Sequence, residues 1–155
     1  MALNRASARF HREQTHPATT GARYDAFLKA SRDPRVASFL IVRVEDERLV
    51  GSIRLSEIVR GHFQSAYIGY QIGAPFQRRG YMTEALQLAL RHAFRDLGLH
   101  RVEANVQPEN AASLALVRRA GFTREGYSRR YLKLGGRWRD HERWALIADD
   151  WRQRV

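Results

Sequence analysis

A chain of 155 residues, 44% hydrophobic and 28% charged, is long enough to bury one core and has the composition of a globular domain. It has no cysteine, which excludes disulfides, cysteine-ligated metals and a thiol nucleophile. The formal charge of +11, from 27 basic and 16 acidic residues, favours an anionic partner such as a phosphorylated cofactor, nucleic acid, the ribosome or an anionic membrane. Only Lys29 and Lys133 among the basic residues are not arginine, the side chain better suited to gripping phosphate. A GC-rich genome would write the same arginines, and they are spread along the chain. The charge therefore supports an anionic ligand without choosing one.

No run approaches the roughly 18 apolar residues of a membrane span. Met1 to Arg12 lacks the apolar block of a signal peptide, so a soluble, cytoplasmic protein is expected. Residues 1–37 carry little pattern. Tyr24 to Arg32 reads as a short helix ended by Asp33-Pro34, and Thr15 to Gly21 as a loop. Ser38 to Val44 is a continuous apolar run, which predicts a strand covered on both faces. Glu45 to Arg48 turns the chain, Leu49 to Leu55 returns it, and Ala66 to Ile72 completes an antiparallel meander.

Gly73-Ala74-Pro75 breaks that third strand. From Met82 the apolar positions Ala85, Leu86, Ala89, Leu90, Ala93, Phe94 and Leu97 keep i, i+3, i+4 spacing, which predicts a helix over about 80–97 stopped by Gly98. A strand thus ends in a basic turn, Gln77-Arg78-Arg79-Gly80, that opens a helix. The free N–H groups of a first helical turn and the positive end of its dipole bind anions, and two arginines add charge there. No Gly-Lys-Ser/Thr follows the glycine and no Gly-x-Gly-x-x-Gly is present, so neither a Walker loop nor a dinucleotide fingerprint is written here.

Arg101 to Gln107 alternates as a strand, with Val102, Ala104 and Val106 on one face and Glu103, Asn105 and Gln107 on the other. Asn110 is a good N-cap for a helix over Ala111 to Ala120 closed by Gly121. Phe122 to Leu134 and Arg137 to Ile147 form a hairpin around Gly135-Gly136. The sum is one α+β domain covering residues 1–155.

The segment Gln77 to Leu86 resembles the acyl-CoA-binding segment of the GNAT acetyltransferases. Met82 stands there where a small residue is usual. The wording Gly-Tyr-Met-Thr-Glu-Ala is similar to the RimJ/RimL branch, which acetylates protein N-termini. Asn110-Ala111-Ala112-Ser113, Ala120-Gly121-Phe122, and Gly136-Arg137-Trp138-Arg139-Asp140-His141 agree with it, so the likeness covers roughly residues 38–150. It implies a mixed, mostly antiparallel sheet with flanking helices. The family's first strand has no counterpart before Ser38 and is expected to be missing.

The resemblance implies acetyl-CoA as co-substrate, no metal, and direct attack by an amine without an acyl-enzyme. Backbone groups of Gln71, Ile72 and Gly73, where two parallel strands part, would hold the pantetheine arm. The pyrophosphate would sit on the amides of Gln77, Arg78, Arg79, Gly80, Tyr81, Met82 and Thr83. Asn110 would bond the pantetheine, and Ser113 would meet the sulfur as a catalytic group. Many relatives have a proton-donating Tyr where this chain has Val117, which leaves Ser113, Tyr127 or water to protonate the thiolate. Glu103 is the candidate base, with His141 and Glu142 behind it. His62, Phe63 and Gln64 would lie where an acceptor could be read. The three tryptophans Trp138, Trp144 and Trp151 read as packing, and His11, His16, His92 and His100 lack metal-ligand spacing. The acceptor would be a protein N-terminus, that of a ribosomal protein among the candidates, with a small amine or a non-catalytic RNA- or ribosome-binding role as alternatives, and the chain a monomer or homodimer.

Overall fold

The computed structural model describes residues 2–7 and 20–154. His11, His16 and most of the expected Thr15–Gly21 loop lie outside them. In chain order the elements are α1 (Ala2–Ala6), α2 (Gly21–Ala30), β1 (Ala37–Val42), β2 (Leu49–Val59), β3 (Ser65–Ile72), α3 (Tyr81–Arg91), β4 (Arg101–Val106), α4 (Ala111–Ala120), β5 (Thr123–Leu134), β6 (Arg137–Ile147) and α5 (Ala148–Arg152). The six strands form one open sheet in the order β1-β2-β3-β4-β6-β5. Every neighbouring pair is antiparallel except β3 and β4.

The sheet is dressed on both faces. On one, α3 and α4 bury the periodic stripes read from sequence: Leu86, Leu90 and Val117 are wholly inaccessible and meet Val102, Ala104, Val106 and Leu146. Burying each such leucine contributes about 1.5–3 kcal/mol. On the other, α2 lies over β1 and β2. The Arg54 guanidinium stacks 5.9 Å from the Phe27 ring, and the Ser31 hydroxyl reaches that of Ser38 at 3.2 Å.

Two expectations are corrected. The Ser38 to Val44 run is not covered on both faces. Among the described residues no strand precedes it, so β1 is an open edge with Leu40 and Val42 about half exposed. A continuous apolar run cannot distinguish a central strand from an apolar edge. The helix over 80–97 is also not uniform: after Arg91 it widens into a π turn, His92–Asp96, where the Leu97 N–H reaches the His92 carbonyl at 2.9 Å. The short helices α1 and α5 carried no readable periodicity.

Candidate active site

Among the described residues β3 and β4 are the only parallel neighbours, and they stay paired for three residues: Ser65 with Arg101, Ala66 with Val102, Tyr67 with Glu103. Beyond that point β3 remains bonded to β2 as far as Ile72, and β4 to β6 as far as Val106. Each strand follows its antiparallel partner, so a V-shaped gap opens between them. The Gly73 N–H is taken by the Val50 carbonyl at 2.7 Å, toward β2. By ladder alternation the backbone groups of Ile72 and Tyr70 therefore face the gap.

A cavity of about 870 Å³ fills this gap and continues over the start of α3. Gln71, Ile72, Gln77 to Thr83, Asn110 and Ser113 all line it, together with the two strand ends. Gly73 does not. Its amide is occupied, its carbonyl accepts from Phe76 N–H at 2.9 Å, and Leu3 of α1 covers it so closely that a Cβ there would clash.

The start of α3 has the form expected of an anion cradle. Gly80 caps it in the left-handed region, φ 86°, and no side chain satisfies the helix terminus. The first intrahelical acceptor is the Gly80 carbonyl, which takes the Glu84 N–H at 3.1 Å. Among the described residues the N–H groups of Tyr81, Met82 and Thr83 donate to nothing, beside the exposed Arg78 and Arg79. Arg119 of α4 adds a third guanidinium to the lining. Sequence reading missed Arg119 because it sits among ordinary helix-surface arginines.

At the opposite wall Asn110 caps α4, its Oδ1 accepting the Ser113 N–H at 3.1 Å, which leaves its amide NH2 to donate. Ser113 lies against the Tyr70 side chain. The Tyr70 hydroxyl is sealed from solvent without a hydrogen-bond partner; burial raises its pKa and the neighbouring Ser113 hydroxyl partly offsets that. Tyr70 is a lining residue that the sequence reading did not single out. Val117, wholly buried in the core, has no proton to give.

The remaining candidates lie elsewhere. Glu103 is paired with Arg101 at 2.8 Å, and the same arginine holds Glu125; Glu103 does not line the cavity. Above it the Tyr67 hydroxyl is pushed up to about 12, first by its contact with Tyr131 and then by burial. Tyr127 donates to Asp140 at 2.6 Å, and Glu142 accepts from Trp144 Nε1 at 3.0 Å and pairs with Arg124. Gln64 closes the paired end of β3 and β4, its carbonyl accepting the His100 and Arg101 N–H groups, so the His62 to Gln64 loop is remote from the gap. His141, by contrast, does line the cavity.

A family profile described as "Acetyltransferase (GNAT) domain" matches residues 1–123. A probable N-acetyltransferase of Bacillus subtilis, YjcK, is 41% identical over 112 residues, covering 72% of this chain and 62% of its own length. The ribosomal protein uS5-alanine N-acetyltransferase of Escherichia coli is 42% identical over 107 residues, covering 69% of this chain and 55% of its own. The solved structure of Mycobacterium smegmatis RimJ in complex with CoA-disulfide superposes with a TM-score of 0.83 at 32% identity, over 96% of this chain and 76% of that one. The chain belongs to the GNAT acetyltransferase domain family, in its RimJ/RimL-like branch. It spans 55–62% of the length of the two curated relatives.

Proposed function

We propose that this domain transfers the acetyl group of acetyl-CoA to a protein N-terminal α-amine. The observation that carries the reading is the parting of β3 from β4 beyond Tyr67 and Glu103, directly above a helix start with free amides and flanking arginines. A long ligand with a phosphate at one end and a thioester at the other fits that arrangement. Tyr81, Met82 and Thr83 amides would receive the pyrophosphate, with Gln77, Arg78, Arg79 and Gly80 shaping the turn. The pantetheine amides would bond the gap-facing backbone of Ile72 and Tyr70 and the side-chain NH2 of Asn110. One gap-facing N–H would polarise the thioester carbonyl and stabilise the oxyanion of the tetrahedral intermediate.

Ser113, with the Tyr70 hydroxyl beside it, is the group best placed to protonate the leaving thiolate. The amine nitrogen forms its bond to the acetyl carbon as the carbon–sulfur bond breaks. One proton leaves the amine and one reaches the thiolate, giving the amide and free CoA. No covalent enzyme intermediate is required, and the chain has no cysteine to form one.

An N-terminal α-amine suits the site better than a polyamine. A polycation needs uncompensated carboxylates, yet Glu103 is neutralised by Arg101, and Arg139 and Arg143 stand on the same strand face as His141. An α-amine, with a pKa of about 7.7–8.0, also needs less deprotonation than a side-chain amine near 10.4. The uS5-alanine activity of the Escherichia coli relative makes a ribosomal protein the first acceptor to try.

The test is acetyl transfer to a panel of N-terminal peptides against spermidine and an aminoglycoside, read by mass spectrometry. Peptide acetylation at the α-nitrogen supports the reading, and transfer to spermidine alone contradicts it. An Arg78→Glu/Arg79→Glu double variant should fold normally and bind acetyl-CoA at least tenfold more weakly. Unchanged binding would remove the phosphate cradle from the account.

A further inference from the structure

The cavity has a second polar wall away from the α3 terminus, which includes Asn105, Gln107 and His141. On β6, Arg139, His141 and Arg143 share one face by alternation, opposite the helices α3 and α4. The register sets Asn105 beside Arg143 and Ser128 of β5 beside His141. His141 is 2% exposed, yet its ring lines the cavity with Asn105, Gln107, Leu132 and Leu134. Its Nδ1 lies 3.0 Å from the Arg139 carbonyl, and a carbonyl can only accept. The proton is thereby fixed on Nδ1, and Nε2 carries the lone pair. Among the described residues the ring's hydrogen bond is the one at Nδ1, and Nε2 has no partner there.

We infer that His141 is the general base of the transfer, receiving the proton of the attacking amine at Nε2. The inference rests on the acetyltransferase reading above and supplies the group that reading lacked. The imidazole takes one proton as the nitrogen–carbon bond forms and passes it to water through the open cavity; the thiolate is protonated separately from the Ser113 side. The surroundings, on balance, favour the neutral ring. Burial is the main influence and lowers its pKa, opposed by the Arg139 carbonyl and by the more distant carboxylates of Glu109 and Asp140. The other groups facing it are Tyr131, whose ring centre is 6.2 Å away, Gln107 just past the end of β4, and the guanidinium-bearing Arg139 and Arg143 of its own strand. Glu103 is in the opposite condition: it is already bonded to Arg101 and outside the cavity.

Two measurements test this. Nitrogen-15 histidine NMR of the wild-type protein should show His141 neutral and protonated on Nδ1 at pH 7.5, whereas an imidazolium or the Nε2–H tautomer there would overturn the assignment whatever the turnover. His141→Gln keeps a donor for the Arg139 carbonyl but has nothing to titrate. At saturating peptide and acetyl-CoA it should lower kcat about 100–1000-fold. KM for acetyl-CoA should stay within twofold, and the acidic limb of the kcat profile should disappear. If His141→Gln keeps that limb while Glu103→Gln loses it, the base is Glu103 and the inference is wrong. If the wild-type protein acetylates no amine, the acetyltransferase reading fails first and the base role with it.

Discussion

Gly80 shows how a single residue's backbone can position a site. Its φ of 86° lies in the left-handed region, and the space around it is empty, so only conformation opposes a side chain there. Gly80→Ala should therefore cost about 1–2 kcal/mol in a urea titration, from the left-handed strain alone, and weaken acetyl-CoA binding as the turn relaxes. Loss of binding without loss of stability would mean the glycine contacts ligand rather than shaping the turn. At this scale the sequence was legible where one residue type meets one backbone need: Gly80 before a helix, Asn110 as a cap. It was silent where the partner is remote. Nothing local says that the Tyr70 hydroxyl lies against Ser113, or that the Gly73 amide is spent on Val50. Nor could spacing alone show that Arg101 occupies Glu103.

Among the elements, the β5–β6 hairpin shapes the acceptor side. Its ladder slips between Ser128 and Leu132, and Arg130 sits at φ 49° in that irregularity. The Asp140 carboxylate pins it, accepting the Arg130 N–H at 2.7 Å on one oxygen and the Tyr127 hydroxyl on the other. Those two bonds, the tyrosine's foremost, hold the Asp140 pKa below its usual value. The slip lets Leu132 and Leu134 reach the cavity while Tyr131 packs near His141. Asp140→Ala should raise the amide exchange rate of Arg130 at least tenfold and leave the exchange of α3 unchanged. An unaltered rate would assign the bulge to the strand itself. The hairpin and α4 were readable because their turn glycines and cap stand next to regular alternation and helical spacing. The edge position of β1 was not, since pairing partners lie outside the local pattern and an apolar run fits either place.

The whole molecule is organised by one conflict of pairing. β3 follows β2 and β4 follows β6, so the parallel pair between them separates after three residues and leaves a cavity at its heart. Alternation and periodicity identified nearly every strand and helix that builds this arrangement, and the basic turn before α3 marked the anion end. The splay itself belongs to tertiary structure, and it enters a sequence reading only through resemblance to a family. The excess of positive charge acts over the entire surface, so salt separates a specific cofactor from general attraction to anions.

The central claim is that the parted strands and the α3 terminus together hold acetyl-CoA, and thermal melting tests it most directly. With acetyl-CoA at 100 times its dissociation constant the domain should gain about 2.7 kcal/mol, a rise of roughly 5–10 °C for a chain of this size. That rise should survive an increase in salt, because backbone amides and a walled cavity carry much of the binding, and RNA of equal charge should not reproduce it. No shift with acetyl-CoA, together with a salt-sensitive shift with RNA, would contradict the account and make the gap a remnant of a fold reused for binding.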